Sequence, residues 1–251
     1  MHSFSLKLPD GKFRHYTLPD CWEDLTPTQW SQVERVLHDS IENYPFALLM
    51  LWSRLTLAHM DAMQPDQHLG LLALLDWLQT PPAKWMRPRL RVGIHRFFGP
   101  GDGLEKMSFG AFLFAEEALK QITAGDLTAL PDLAAACYVP RTWNGQPKSF
   151  SMDALAERAT LMNHHLAGRI AQGIHYNYVG ARANLVRTFE RVFQAAKDAT
   201  GDPTSWLDVG LSLARQTGAL GTYAQLEQTN VYLVLTTLQA LIEEADKLKE
   251  S

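Results

Sequence analysis

Three histidines lie on one predicted helical stretch, and histidine is the residue type that best suits a metal site. His164 and His165 are adjacent, and His175 follows further along the same stretch. Zinc requires ligands that converge on one point. On a continuous helix, with its rise of about 1.5 Å per residue, His164 and His175 would share a face but lie about 16 Å apart. We therefore predict no metal site and interpret these histidines as polar residues on a helix surface.

The glycine-rich segment Gly99–Gly103 resembles neither a phosphate-binding loop nor a dinucleotide-binding fingerprint. A phosphate-binding loop ends in Gly-Lys-Ser or Gly-Lys-Thr, whereas Gly103 is followed by Leu104 and Glu105. We therefore predict that no nucleotide or other cofactor binds here. The segment is interpreted as a mobile turn and as the boundary between two lobes.

Acidic pairs occur at Glu116-Glu117 and at Glu243-Glu244. Adjacent residues on a helix diverge by about 100°, so neither pair can place two carboxylates on either side of a scissile bond. We predict no catalytic residue. An enzyme of unknown chemistry is kept as a further alternative, for which a deep pocket lined by titratable residues with shifted pKa values would be the evidence.

The strongest candidate for a binding surface is the basic stretch from residue 84 to residue 96. It contains no acidic residue, whereas residues 1–83 contain five basic and ten acidic side chains, a net charge of −5. Arginine next to aromatic rings can contact phosphate and stack on bases, and the same cations can contact an acidic protein. The candidate partner-binding residues in this stretch are Lys84, Trp85, Arg87, Arg89, Arg91 and Arg96.

Three further residues complete the predicted partner-binding set. Trp143 lies in a polar loop, where a large aromatic ring either anchors the loop or contacts a partner. Tyr178 and Arg182 are spaced one helical turn apart, so that Arg182 can bond to carbonyls or acids of a neighbouring helix. Gly180, between them, allows another backbone to approach closely. An ordinary core helix would show the same pattern.

The composition is that of a globular protein. The 251 residues are 46% hydrophobic and 20% charged, with a formal net charge of −4, which points to no strong overall attraction for nucleic acid or for an acidic membrane. Cys21 and Cys137 are too few for a disulfide framework. The first residues lack the apolar run of a signal peptide. We therefore predict a cytoplasmic protein with reduced thiols and without a membrane span, or a component of a virion or tail-like particle if it is structural.

Apolar spacing and capping residues predict an all-α fold with a small N-terminal β-hairpin. Phe4 and Leu6 alternate with polar residues before a Pro-Asp-Gly turn, and the alternation from Arg89 to His95 allows one short additional strand. The first helix is expected to follow Thr26, and the stretch Met152–Lys197 is expected to be helical with a break within Ala167–Gly173. The other predicted helices are Pro45–Met60, Pro65–Leu78, Ser108–Thr123, Leu130–Tyr138, Thr204–Gln216, Tyr223–Gln228 and Asn230–Lys249.

Several motifs together resemble a family of helical proteins. The motifs are Phe109-Gly110-x-Phe112-x-x-Ala115-Glu116, Leu133-Ala134-Ala135-x-x-Tyr138-x-Pro140-Arg141 and Tyr178-x-Gly180-x-Arg182-x-x-Leu185-x-x-x-Phe189-x-x-Val192-Phe193, followed by Trp206, Tyr223, Glu227, Asn230 and Tyr232. Their order resembles proteins of prophages and phage-tail-like elements, some of which are similar to tail-assembly chaperones or tail-associated structural proteins. The resemblance covers about residues 105–250 and supplies no catalytic residue. It implies binding to a tail or tape-measure-like protein.

These observations predict two lobes, residues 1–98 and residues 99–251, with a single continuous domain as the alternative. The expected function is non-enzymatic protein–protein interaction or assembly, without a cofactor. The first alternative is nucleic-acid binding through residues 84–96, which would weaken steeply with salt.

Overall fold

The N-terminal strands form the predicted antiparallel hairpin in the computed structural model, which describes residues 1–7, 11–142, 148, 150–200 and 222–250. Strands β1 (His2–Lys7) and β2 (Phe13–Leu18) pair so that Phe4 lies opposite Tyr16, and the two rings stack with centroids 5.4 Å apart. Leu18 is fully buried and packs the hairpin against the helices. Part of the predicted turn lies outside the described residues.

Helix α1 (Pro27–His38) begins where the capping residues predict. The Thr26 hydroxyl accepts a hydrogen bond from the Gln29 backbone, and the Gln29 side chain accepts one from the Thr26 backbone, which completes the capping box. Trp30 and Val33 on its inner face are buried.

The helix predicted at Pro45–Met60 is two helices, α2 (Tyr44–Ser53) and α3 (Leu57–Asp61). Arg54 between them adopts a left-handed conformation with φ of 56°, which ends α2. Thr56 then caps α3 by accepting from the His59 backbone. Helix α4 (Pro65–Ala73) is shorter than predicted, because its last predicted turn is a separate 3-10 turn at Asp76–Gln79.

The segment for which one additional strand was allowed is a second antiparallel hairpin. Strand β3 (Arg89–Val92) pairs with strand β4 (His95–Phe98) across a two-residue turn at Gly93 and Ile94. The alternation of arginine with apolar residues therefore indicated a strand correctly, and the second strand was not predicted.

Seven further helices are described after the second hairpin. Predictions at Ser108–Thr123, Leu130–Tyr138, Tyr223–Gln228 and Asn230–Lys249 are confirmed within one or two residues, and the helix predicted at Thr204–Gln216 lies outside the described residues. The stretch Met152–Lys197 contains breaks at Leu166–Ala167 and at Phe189. The helices are α5 (Phe109–Thr123), α6 (Leu130–Cys137), α7 (Met152–His165), α8 (Gly168–Thr188), α9 (Glu190–Thr200), α10 (Tyr223–Gln228) and α11 (Val231–Glu250).

Buried apolar residues form two core clusters, one from Leu6 to Leu78 and one from Trp85 to Leu238. The buried residues divide between the clusters near residue 80, because the second hairpin packs with the C-terminal helices. The two lobes at residues 1–98 and 99–251, with one continuous domain as the alternative, stay a prediction. Helix α8 connects the clusters: its Tyr176 packs on the first, and its Tyr178 lies inside the second.

Candidate partner-binding surface

The second hairpin has one apolar face and one basic face. Leu90, Val92 and Phe97 are at most 4% exposed and attach the inner face to the core. Because side chains alternate along a strand, the intervening arginines point outward. We call the outward face the basic arm. Its residues are Arg89, Arg91 and Arg96 of the hairpin and Arg141 of the loop that follows α6.

Two arginines of the basic arm lie directly across from each other. In the strand register Arg91 opposes Arg96, and both side chains are exposed. Like charges in opposed positions destabilise a strand pair. Within the described part of the chain, no salt bridge joins an arginine of the arm to an acidic side chain; Arg91 Nε donates instead to the Gly93 carbonyl at 3.2 Å. The arm therefore offers uncompensated positive charge.

Arg141 extends the basic arm although it is distant from the arm in sequence. Its guanidinium carbon lies 4.2 Å from the centre of the Phe98 ring, a cation–π contact. Phe98 is held there by two backbone hydrogen bonds to Val139, of 2.9 and 3.1 Å. Arg141 was not among the residues predicted to bind a partner, because only the fold brings it beside β4.

Trp85 does not belong to an accessible surface, in contrast to the prediction. It is 3% exposed, and its indole Nε1 donates to the Tyr138 hydroxyl at 3.1 Å. The Tyr138 hydroxyl in turn donates to the Arg87 carbonyl at 2.5 Å, and burial raises the pKa of this phenol. Gly99 lies against the indole so closely that a Cβ atom there would approach Nε1 to 2.2 Å. Trp85 therefore fixes the base of the arm.

Arg87 is likewise engaged inside the molecule. Its Nε and Nη2 donate to the two carboxylate oxygens of Glu34 at 2.9 and 2.6 Å, and Glu34 is 1% exposed. Burial disfavours the charged guanidinium, but the hydrogen bonds and charge of Glu34 outweigh it, so the pKa of Arg87 is raised. Arg87 joins helix α1 to the base of the arm and does not point to a partner.

Tyr178 and Arg182 also bind within the chain, which corrects their assignment as partner-binding residues. Arg182 Nε donates to Glu116 at 2.8 Å, and the Tyr178 hydroxyl donates to the same carboxylate at 2.8 Å. Tyr178 is fully buried, and desolvation raises its pKa strongly. The structure instead contains the predicted alternative, a hydrogen bond from Arg182 to an acidic residue of a neighbouring helix.

Asn177 was not identified from the sequence, although it holds the segment that leads into the arm. Its amide nitrogen donates to the Pro82 and Lys84 carbonyls at 3.0 and 2.8 Å, and its amide oxygen accepts from the Met86 backbone at 2.7 Å. The side chain is 2% exposed. An asparagine in a helix carries no sequence signal for such distant contacts.

Two predicted residues remain, of which Lys84 lies apart from the arm. Lys84 is half-buried beside Asp102 and Tyr232, in a shallow depression. Trp143 lies outside the described residues. Of the nine residues predicted to bind a partner, the structure thus brings Arg89, Arg91 and Arg96 together on one exposed face.

The segment Gly99–Gly103 is held by several hydrogen bonds, in contrast to the expected mobile turn. Gly99 donates to the Pro88 carbonyl at 3.1 Å, and Gly103 donates to the Ala83 carbonyl at 3.0 Å. The Asp102 carboxylate accepts from the Trp85 backbone at 2.8 Å. This segment therefore secures the base of the arm from its C-terminal side.

Titratable groups elsewhere lie in two different environments. Asp20, Cys21 and Asp24 converge near the surface, where the amino group of Met1 contacts both carboxylates. The hydrogen bond from this amino group lowers the pKa of Asp20 to about 2. Asp132 lines an apolar cavity of about 270 Å³ between α5 and α7, where burial raises its pKa.

In comparisons with family models, with curated proteins and with solved structures, nothing matches this chain. Among the described residues, no helix is both long enough and apolar enough to cross a bilayer.

Proposed function

We propose that this protein is a non-enzymatic assembly protein whose basic arm binds an acidic segment of a protein partner. The observation that carries the proposal is that Arg91 and Arg96 oppose each other on an exposed face, where neither forms a salt bridge with an acidic side chain of the described residues. Because this arrangement disfavours the free hairpin, an anionic partner would relieve the repulsion on binding.

The arm is suited to binding because its scaffold is rigid. Its inner face is buried, and its base is fixed by the Trp85–Tyr138 hydrogen bond and by the Arg87–Glu34 ion pair. A surface that is ordered before binding loses little conformational entropy on association. Four arginines supply the planar, multiply donating groups that match carboxylates.

An acidic protein fits this surface better than a nucleic acid because of the apolar residues around the arginines. The turn between β3 and β4 exposes the apolar Ile94 at 85%, whereas Phe97 is buried and Phe98 is covered by Arg141. Ile94 suits an apolar protein contact, and the two aromatic rings do not form a platform for stacking bases.

Nucleic-acid binding remains the alternative because a two-stranded ribbon has dimensions that fit a major groove. The resemblance to prophage and phage-tail-like proteins supplies a partner class within the main proposal, namely a tail or tape-measure-like protein with an acidic segment. A tail-assembly chaperone and a tail-associated structural component would both use such a surface.

Affinity capture from the producing cells, with nuclease and at physiological salt, tests the proposal when it is read by mass spectrometry. The arm variant combines Arg91→Glu with Arg96→Glu and leaves Arg87 intact, because Arg87 is part of the internal ion pair. The matched control combines Arg187→Glu with Lys247→Glu, which changes the net charge equally at two exposed positions outside the arm.

We expect an acidic protein to be recovered stoichiometrically with the wild type and with the control, and about tenfold less with the arm variant. Equal recovery with all three proteins would reject the arm as the binding surface. Recovery that requires intact nucleic acid, and that falls steeply with salt, would support the alternative instead.

A further inference from the structure

A cavity of about 440 Å³ opens next to the basic arm, where β4 leads into helix α5. Its volume falls in the range of about 300–1,000 Å³ that is typical of ligand pockets. Apolar side chains of Met107, Ala111, Ala136 and Val139 line it, and Lys106 and Lys148 are the charged residues in its wall.

The cavity is continuous with the basic arm. Val139, which lines it, is paired through its backbone with Phe98, the residue on which Arg141 stacks. Pro100, two residues after β4, also lines the cavity. A segment bound along the arm can therefore place a side chain in the cavity without a change of fold.

The polar side chains of the lining are already bonded within the chain. Gln228 exchanges two hydrogen bonds with the Phe150 backbone, at 2.8 and 2.6 Å. Asn230 donates to the Glu105 carbonyl at 2.7 Å and accepts from the Tyr232 backbone at 2.9 Å. The interior thus offers apolar contact more than free hydrogen-bonding groups, which favours an apolar occupant.

The charge around the cavity is positive. Lys148 is exposed, and Lys106 contacts Glu105 at 3.2 Å with both side chains more than half exposed. An exposed ion pair of this kind contributes little to stability, so Lys106 can exchange its partner. Lys106, Lys148 and Arg141 would accordingly attract acidic residues on either side of an apolar one.

We propose that the cavity receives one aromatic side chain of the partner segment, and that acidic residues next to it lie on the basic arm and on the two lysines. The proposal rests on the proposed function and specifies the partner as an acidic peptide with an aromatic anchor. Such anchors dominate the affinity of many protein interfaces because they fill a desolvated pocket.

Fluorescence anisotropy with three labelled probes tests the proposal on the full chain. The probes are an acidic peptide with a central phenylalanine, the same peptide with alanine in place of the phenylalanine, and a short DNA duplex. The cavity variant is Val139→Trp, in which the larger side chain fills the cavity from a half-buried position. The arm variant is again Arg91→Glu with Arg96→Glu.

We expect the wild type to bind the phenylalanine peptide about tenfold more tightly than the alanine peptide. Val139→Trp should abolish this difference, whereas the arm variant should lose both peptides. A second measurement uses the wild type alone: the ¹³C-methyl resonance of Met107, assigned with Met107→Leu, should shift with the phenylalanine peptide only.

The outcomes separate the two proposals. If both peptides bind equally, depend on the arm and leave the Met107 resonance unchanged, the cavity is not an anchor site and the arm proposal stands. If neither peptide binds, or if only the DNA duplex binds, the proposed function fails and this inference fails with it. If Val139→Trp does not fold, the Met107 resonance of the wild type decides.

Discussion

Arg91 and Arg96 face each other across the two strands of an exposed hairpin. An acidic residue at either position would form an opposite-charge pair with the remaining arginine. Opposite charges in such positions stabilise a strand pair by about 0.2–1 kcal/mol, and like charges destabilise it. The arrangement costs the free protein stability, which is expected of a surface that serves binding.

The first prediction concerns this trade between stability and binding. Arg96→Glu should raise the free energy of unfolding by about 0.5 kcal/mol, because it creates an opposite-charge pair with Arg91. The same change should weaken the binding of an acidic partner. Urea unfolding and peptide anisotropy measure the two effects.

Arg96→Gln is the matched control, since it removes one charge without adding an acid. It should give a smaller gain in stability and a smaller loss of binding than Arg96→Glu. A decrease in stability for Arg96→Glu would mean that Arg96 has a favourable partner in the native state.

The elements of the fold could largely be predicted because their signals are local. Thr26 and Ser108 cap helices whose first turns lie directly beside them, and both helices begin where predicted. Arg54 shows where local pattern is insufficient: apolar spacing continues through it, yet its left-handed conformation divides the predicted helix. Apolar periodicity does not report a single-residue change of backbone conformation.

The candidate surface was predicted only in part, because an arginine has the same local signal whether it points to solvent or to a distant acid. Arg87 finds Glu34 at a separation of 53 residues, and Arg182 finds Glu116 at 66. Arg89, Arg91 and Arg96 are distinguished from them only by the strand register. The sequence thus located the basic stretch, and the fold determined which of its cations are exposed.

The second prediction concerns the ion pair between Glu116 and Arg182. Glu116→Ala should lower the free energy of unfolding by about 3 kcal/mol, because it leaves the Arg182 guanidinium and the Tyr178 hydroxyl without their partner in a mostly buried position. Denaturant unfolding followed by circular dichroism measures the change.

Glu117→Ala is the control for this experiment, since Glu117 is the next residue on α5 and is exposed. It should change the free energy of unfolding by no more than about 0.5 kcal/mol. Similar losses for both variants would show that the pair with Arg182 contributes no more than a surface residue does.

The third prediction concerns pH. Burial lowers the pKa of His175 in the folded protein, so the unfolded chain, with a histidine pKa of about 6.5, binds this proton more readily. The contribution of His175 is therefore fully present above pH 6.5 and is lost as the pH falls through its lowered pKa.

His175→Gln should reduce the decrease in stability between neutral pH and pH about 5. The free energy of unfolding in urea, measured at a series of pH values, gives the slope. His164→Gln, at an exposed position on α7, is the matched control and should leave the slope as in the wild type. An unchanged slope for His175→Gln would contradict the assignment.

The last prediction compares two helical glycines. Gly180 in α8 lies so close to the backbone of Pro81 and Pro82 that a Cβ atom would come within 2.4–2.5 Å of three of its atoms. Gly180→Ala must therefore displace the segment that Asn177 holds by three hydrogen bonds. We expect the free energy of unfolding to fall by about 2 kcal/mol or more, although alanine is the better helix former by about 1 kcal/mol.

Gly70→Ala in α4 is the matched control. It should stabilise the protein by about 0.5–1 kcal/mol, because nothing lies within 4 Å of its added Cβ atom. Thermal and urea unfolding of both variants measure the difference. Because Pro81 and Pro82 precede the basic arm, Gly180→Ala should also weaken acidic-peptide binding, whereas Gly70→Ala should leave it unchanged. A stabilising effect at both positions would show that the contact of α8 with Pro81 and Pro82 is loose, and that the base of the arm is not fixed from this side.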